Sequence, residues 1–332
     1  HQGAEGMSVR EGVYTQNIRY NEFIYHFQAR QIPAFLDFDY LKSIENYVSK
    51  LEFELEFTKF PYSTMHYYTT SWEAINKNLI ESYDFGVELT KTSHVAKDVE
   101  LLKITDTDPV SLLNTALKFM MTKIVWNGNN NIFIPSSLSD SYNKGTGNCA
   151  DVNLNLVVLL KAMGFEAYPV ILSTQENGLL HPAHPSISNF NYVVALAKVD
   201  SNTFMMDATD PSSKINLLPI RCLNGKGRIV NNSGGDWIEL ENNKYFSSIE
   251  SYKIEINNDF SFYGVLQVRL KDYASYLKKK EIRKHNTIKE YQESIELENR
   301  DLKIQKIEVI GMDSVLEHLN IAMTFEHKNI LN

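Results

Sequence analysis

Residues 149–163, CADVNLNLVVLLKAM, constrain the fold most, because they predict a helix with apolar side chains on almost every face. Asn148 precedes them as a residue that can cap the first turn, and Gly164 follows at the usual C-terminal glycine position. A helix that is apolar nearly all round must lie inside a core, with other elements packed on several sides. The segment therefore predicts a central, buried helix with Cys149 in its first turn.

Three segments after this helix have the composition and pattern of strands. They are FEAYPVILS at 165–173, FNYVVALAKV at 190–199 and TFMMDAT at 203–209. A buried helix followed by an antiparallel sheet predicts an α+β domain. In this arrangement the helix N-terminus favours the thiolate form of a cysteine, and the strands can carry a base and the residue that orients it.

Composition limits the partners of the chain. Its net charge is −8, and no basic stripe is visible, so we expect no nucleic-acid partner. No apolar run approaches the length of a membrane span, so we expect no integral membrane segment. The two cysteines, Cys149 and Cys222, lack the paired spacing of a cysteine zinc site, and we expect no metal and no other cofactor.

The length of 332 residues predicts two or three domains, and the character of the sequence changes twice. Residues 1–66 alternate polar and apolar side chains, as in YVSKLEFELEFTKF, and predict a β-rich N-terminal domain. Residues 67–245 mix helices and strands and predict a core domain. Residues 246–332 consist mostly of strand patterns and predict a β-rich C-terminal domain.

One charged segment, at about 272–298, interrupts the strands of the last part and predicts a single helix. It contains the run Lys278-Lys279-Lys280. A charge run most simply forms a solvated face, and we expect these three ammonium groups to face water.

Several segments resemble a known family. GNCADVNLNLVVLLKAMGFEAYPVIL and FNYVVALAKV…FMMDATDP are similar to the core of transglutaminase-like domains, a superfamily that shares the papain-like thiol fold. ARQIPAF, NYVSKLEFEL, TSWEAINKNLIESYDFG, LPIRCLNGKGR and DWIEL resemble a bacterial envelope family with such a core between two β-rich domains of unknown function. The resemblance extends from about residue 29 to past residue 270. It implies an α+β core with β-rich flanks, a periplasmic or cell-envelope location, and a chain that lacks the outer ends of both flanks.

The resemblance also implies a catalytic triad of Cys, His and Asp in that order. Cys149 matches the cysteine, and Asp207, before a small residue and threonine, matches the aspartate. The histidine is expected about fifteen residues before the aspartate, on the neighbouring strand, where this chain has Tyr192. A phenol with a pKa near 10 cannot act as a resting base. Because loss of a triad member costs on the order of 10⁴–10⁶ in turnover, the triad is interpreted as degenerate.

Other interpretations of these residues remain. His181 and His184 lie in LLHPAHPS just before the Tyr192 strand, and His184 is the candidate substitute base. The Asp207 carboxylate could simply cap the turn DATDP, and Cys222 could pack as a small hydrophobe.

Two functions follow from these alternatives. The first is a catalytically degenerate transglutaminase-like domain that binds a peptide, glycan or protein partner. The alternative is a cysteine-dependent acyl transferase or peptidase, in which Cys149 and Asp207 act with a substitute base such as His184.

Overall fold

Helices and strands are mixed along the chain, whose structure is a computed structural model. It describes residues 2–11, 14–22, 24–28, 30–32, 34–35, 43–48, 55, 57–60, 62–67, 71–103, 107–181, 183, 185–241, 244–313 and 318–328. The helices are α1 (Trp72–Glu81), α2 (Ala96–Lys103), α3 (Pro109–Lys123), α4 (Leu138–Lys144), α5 (Cys149–Met163), α6 (Asp272–Ile282) and α7 (Ile288–Glu298). The strands are β1 (Gln2–Glu11), β2 (Tyr14–Glu22), β3 (Phe57–Thr58), β4 (His66–Tyr67), β5 (Val125–Trp126), β6 (Thr146–Gly147), β7 (Glu166–Leu172), β8 (Tyr192–Val199), β9 (Asn202–Met206), β10 (Lys226–Ile229), β11 (Asp236–Glu239), β12 (Phe246–Ile256), β13 (Phe262–Lys271), β14 (Leu302–Ile310) and β15 (His318–His327). These elements confirm the predicted α+β class.

Helix α5 begins and ends at the residues that the sequence predicts. The Asn148 side chain accepts a hydrogen bond from the Asp151 N–H, and the Asp151 carboxylate accepts one from the Asn148 N–H, both at 2.9 Å. Gly164 ends the helix in the left-handed conformation, with a φ of 98°. Except at Lys161 and Ala162, every residue of α5 is buried, because α2, α3, α4, β7 and β8 all pack against it. The helix is therefore central, as its apolar pattern predicts.

Two buried asparagines tie α5 to its neighbours. The Asn153 amide donates hydrogen bonds to the Val193 carbonyl at 2.8 Å and to the Asp207 carboxylate at 2.9 Å, and its oxygen accepts one from the Ala208 N–H at 2.9 Å. Two residues further on, the Asn155 amide donates to the carbonyl of the first α4 residue at 3.1 Å. Because an unsatisfied buried polar group costs about 1–3 kcal/mol, these bonds determine where the helix sits on the sheet.

The main sheet brings the predicted site residues to one end. Its strand order is β11-β10-β7-β8-β9, and neighbouring strands are antiparallel. Tyr192 is the first residue of β8, and Asp207 directly follows the last residue of β9. Since Ala195 of β8 pairs with Met206 of β9, the start of β8 and the end of β9 lie side by side.

A second antiparallel sheet, β12-β13-β15-β14, follows the core, and α6 and α7 connect β13 to β14. The prediction of one helix over 272–298 is wrong, because Thr287 starts a new helix by accepting a hydrogen bond from the Glu290 N–H at 3.1 Å. The prediction that the lysine run faces water is wrong for Lys279, which is 3% exposed. The reason is that α6 also packs against the segment that follows β9, where the Tyr276 hydroxyl donates to the Asp210 carboxylate at 2.7 Å.

The first part of the chain contains two antiparallel pairs, β1 with β2 and β3 with β4. The strand predicted over YVSKLEFELEFTKF falls largely outside the described residues, and its end forms β3. The boundaries at residues 66 and 245 stay predictions. Among the helices within the described ranges, none combines the length and the apolar character needed to cross a membrane.

Replacement of Asn153 by leucine should destabilise the fold by about 3 kcal/mol. The side chain keeps nearly the same volume, but the Val193 carbonyl, the Asp207 carboxylate and the Ala208 N–H each lose a buried partner. Urea denaturation at pH 7 measures the change. Lys161→Leu, on the exposed side of the same helix, is the matched control and should change stability by less than about 0.5 kcal/mol. Equal effects of the two substitutions would contradict this assignment.

Candidate functional site

The Cys149 thiol is enclosed by the loop at 127–131. Cys149 is 0% exposed. Its Sγ donates a hydrogen bond to the Asn131 carbonyl at 3.1 Å and accepts one from the Asn131 N–H at 3.3 Å. The Cys149 N–H itself donates to the Asn129 carbonyl at 3.2 Å. Burial raises the pKa of the thiol to about 12, and the Asn131 N–H offsets this only in part. The thiol is therefore protonated at neutral pH, although it lies at a helix N-terminus.

The Tyr192 hydroxyl is fully engaged within the protein. It donates its proton to Asp207 Oδ2 at 2.9 Å. Its oxygen accepts a hydrogen bond from Arg221 Nη2 at 2.9 Å, and the Thr209 hydroxyl lies at 2.7 Å. Because a phenol has one proton and two lone pairs, the Thr209 hydroxyl is the donor in that last bond. Burial, followed by the charge of Asp207, raises the pKa of the phenol well above its usual value.

The Asp207 carboxylate is also saturated. Asp207 is 0% exposed. Its Oδ1 accepts hydrogen bonds from the Asn153 amide and from the Thr209 N–H, both at 2.9 Å. Its Oδ2 accepts the Tyr192 proton, and the Cys222 thiol lies 3.8 Å away as a weak donor. The bond to the Thr209 N–H caps the turn after β9, as the structural interpretation of Asp207 expects.

Arg221 supplies the positive charge of the site. It lies in the short 3-10 helix Ile220–Cys222, and its guanidinium nitrogens are 3.7 Å from Asp207 Oδ2 and 3.8 Å from Asp210 Oδ2. The guanidinium carbon lies 4.5 Å from the centre of the Trp126 ring, within cation–π distance. Sequence reasoning assigned no role to this arginine. The sequence feature that could have indicated its role is a single charged residue between apolar residues in LPIRCL.

The structure thus brings Cys149, Tyr192 and Asp207 together at the first turn of α5 and the adjoining ends of β8 and β9, and Cys149 and Tyr192 pack in one apolar cluster. Cys222, fully buried, belongs to the same cluster, so it packs as a small hydrophobe and also contacts the site. His184 lies outside the described residues, and His181 is exposed. Within the described ranges, no histidine nitrogen contacts the Cys149 sulfur, and no group of three metal-ligating side chains is present.

Comparison with known proteins gives two distant structural similarities. No family model matches the sequence, and no curated protein matches it. A candidate protease from Parabacteroides distasonis ATCC 8503 is 11% identical, with a TM-score of 0.42 over 85% of this chain and 58% of that chain. A candidate cysteine protease from Cytophaga hutchinsonii is 15% identical, with a TM-score of 0.31 over 46% of this chain and 48% of that chain. This chain therefore spans less than two thirds of either structure, and neither similarity assigns it a family or an activity.

Alkylation of Cys149 should be slow and should lack an inflection below about pH 9, because burial both hides the thiol and raises its pKa to about 12. Iodoacetamide labelling of the native protein between about pH 5 and pH 10, read by peptide mass spectrometry, measures this rate. The variant Cys222→Ser isolates the Cys149 signal. Labelling that becomes rapid below about pH 7 would show that a hidden cation or base activates the thiol.

Removal of the Tyr192 hydroxyl should destabilise the protein by about 2 kcal/mol. In Tyr192→Phe, the Asp207 carboxylate, the Arg221 guanidinium and the Thr209 hydroxyl each lose a buried partner. The matched control is Tyr168→Phe, whose hydroxyl contacts Glu166 at the surface and should contribute less than about 0.5 kcal/mol. Thermal and urea denaturation compare the two variants. A Tyr192→Phe protein as stable as the control would mean that the network contributes little.

Proposed function

We propose that this chain is a transglutaminase-like protein whose thiol site has become structural, and that it acts by binding a peptide, glycan or protein partner. One observation supports the loss of catalysis above the others. The position expected for the catalytic histidine is occupied by Tyr192, whose only proton is held by Asp207 at 2.9 Å.

The other two requirements of thiol catalysis are also missing around Cys149. A nucleophilic cysteine must form a thiolate that substrate can reach, whereas this thiol is 0% exposed and has a pKa raised to about 12. An acyl-transfer site also needs backbone N–H donors aimed at the developing oxyanion. Here the Cys149 N–H is already bonded to the Asn129 carbonyl at 3.2 Å. The first turn of α5 therefore has its thiol and this donor turned toward the protein itself.

The alternative, a cysteine-dependent acyl transferase or peptidase, needs a base that contacts Cys149. Its candidate, His184, lies outside the described residues, and its neighbour His181 is exposed. Arg221 cannot serve as that base, because it carries no lone pair for a proton at any relevant pH. No observation at the site favours this alternative.

A transglutaminase-like domain whose Cys149 site does not catalyse a reaction can still bind a partner. By analogy of fold, the β-rich parts on either side of the core support a binding role, since such modules commonly act as interaction surfaces. A periplasmic or cell-envelope location is part of the same proposal and rests on the sequence resemblance.

Restoration of the missing base tests the loss of catalysis. Tyr192→His should insert an imidazole between Cys149 and Asp207, with the carboxylate orienting the ring and the ring accepting the thiol proton. The thiol pKa, measured from alkylation rate against pH, should fall by at least about one unit. Stability should fall by about 1–2 kcal/mol, because the smaller ring leaves space and breaks the phenol network.

The matched control is Tyr192→Phe, which removes the same hydrogen bonds without adding a base. The pKa of the Cys149 thiol should therefore stay high in this variant. A folded Tyr192→His protein with the thiol pKa of this control would mean that position 192 is not the lost base. Amide hydrolysis by the wild type that disappears in Cys149→Ser would overturn the non-catalytic assignment directly.

A further inference from the structure

A cavity of about 360 Å³ lies apart from the Cys149 cluster, between α3, the segment 211–214, α6 and the loop at 312–313. Its walls carry four cationic side chains and one carboxylate: Lys118, Lys214, Lys279, Arg283 and Asp313. The cavity lining therefore carries three more positive than negative charges, in a chain whose net charge is −8. Such a concentration of one sign of charge in a concave site attracts the opposite sign.

Lys279 is the most unusual member of this lining. It is 3% exposed, and within the described part of the chain no carboxylate forms an ion pair with its ammonium group. Burial, followed by the charges of Lys214 and Arg283, lowers its pKa to about 8, and only Asp313 acts against them. A buried ammonium is rarely left without a counter-ion, because removing it from water is costly. The position therefore fits an anion that comes from outside the chain.

Ser213 provides a second, neutral donor. Ser213 lines the cavity and is 6% exposed, yet among the described residues its hydroxyl has no hydrogen-bond partner. The neighbouring Ser212 hydroxyl, by contrast, accepts a bond from Arg283 at 2.6 Å, which holds the guanidinium at the cavity wall. Buried hydroxyls are normally paired, so the Ser213 hydroxyl indicates an acceptor that the chain itself does not supply.

Among the described lining residues Asp313 carries the one carboxylate, and it leaves this charge largely uncompensated. Asp313 lies 3.3 Å from Arg283, but its side chain is 94% exposed, and an ion pair in water contributes little. Lys118 contacts the backbone carbonyl of Asp313 at 3.3 Å rather than its carboxylate. The apolar residues Leu117 and Met121 complete one wall on α3, so the volume exceeds what a bare tetrahedral oxyanion fills.

We propose that this cavity binds a phosphate group, either free or carried by a small organic molecule. Phosphate offers several acceptor oxygens and up to two negative charges, which match the converging ammonium, guanidinium and hydroxyl donors. Lys279 and Ser213 contact it at the buried end, and Lys118 lies at the exposed rim.

Calorimetric titration of the full chain at pH 7 and constant ionic strength tests the site, with inorganic phosphate and glycerol 3-phosphate as the two probes. We expect saturable binding of at least one probe. Tighter binding of glycerol 3-phosphate would identify an organic phosphate as the ligand, and equal or tighter binding of inorganic phosphate would identify the free ion. Absence of saturable binding of either probe up to about 10 mM would overturn the proposal.

Lys279→Met should weaken binding at least tenfold. It should also fold readily, because it replaces an unpaired buried charge with an apolar chain of similar length. The matched control is Lys278→Met in the same lysine run, whose ammonium pairs with Glu281 at 2.7 Å and does not line the cavity. The affinity of Lys278→Met should stay within twofold of the wild type.

Lys118→Gln, at the exposed rim, should weaken binding about threefold without a fold defect. Affinities unchanged in both Lys279→Met and Lys118→Gln would refute the site, and so would equal losses in Lys279→Met and Lys278→Met.

Discussion

A helix with almost no solvent-facing side forms the hydrogen bonds of its polar side chains inside the protein. In α5 three buried side chains, those of Asp151, Asn153 and Asn155, form such bonds. Asp151 closes the capping box, Asn153 bonds to β8 and to the turn after β9, and Asn155 bonds to α4. The partners of these three side chains determine how the sheet, the turn and α4 are arranged around the helix. They also place the first turn, with its cysteine, inside the core rather than at an open cleft.

Hydrogen bonds within the protein also determine the chemistry of the Cys149 site. A catalytic thiol needs a proton that can move and a surface that substrate can reach. Around Cys149, the Tyr192 hydroxyl, the Asp207 carboxylate and the Thr209 hydroxyl bond to partners within the protein. The Arg221 guanidinium bonds to Tyr192 and lies against the Trp126 ring. A buried polar network that is fully satisfied makes its surroundings rigid. In this network Tyr192 ties the start of β8 to the turn that follows β9.

Local sequence patterns predicted much of the fold around α5. The features that they did not predict depend on contacts between segments that are distant in the chain. The apolar run of α5, its Asn148 cap and the strands after it follow from the preferences of neighbouring residues. The expectation that Tyr192 lies beside Asp207 came instead from the family resemblance. Arg221 could not be assigned, because its carboxylate partner is 14 positions away and its aromatic partner 95 positions away, so the interactions exist only after folding. Lys279 was misjudged for a related reason. A lysine in a charged run is solvated on an isolated helix, and only the docking of α6 against the core encloses it.

The order of the helices and strands along the chain has a consequence for the synthesis of the protein on the ribosome. Helix α5 leaves the exit tunnel before any of the strands that cover it, since β7 to β11 occupy residues 166–239. About 76 residues separate the end of α5 from the end of β11, which corresponds to roughly 4–15 s of translation at about 5–20 residues per second. During that interval α2, α3 and α4 can shield only part of a surface that is apolar nearly all round. The nascent chain thus exposes an apolar helix before its covering strands are made, and a molecular chaperone could bind the chain at this stage.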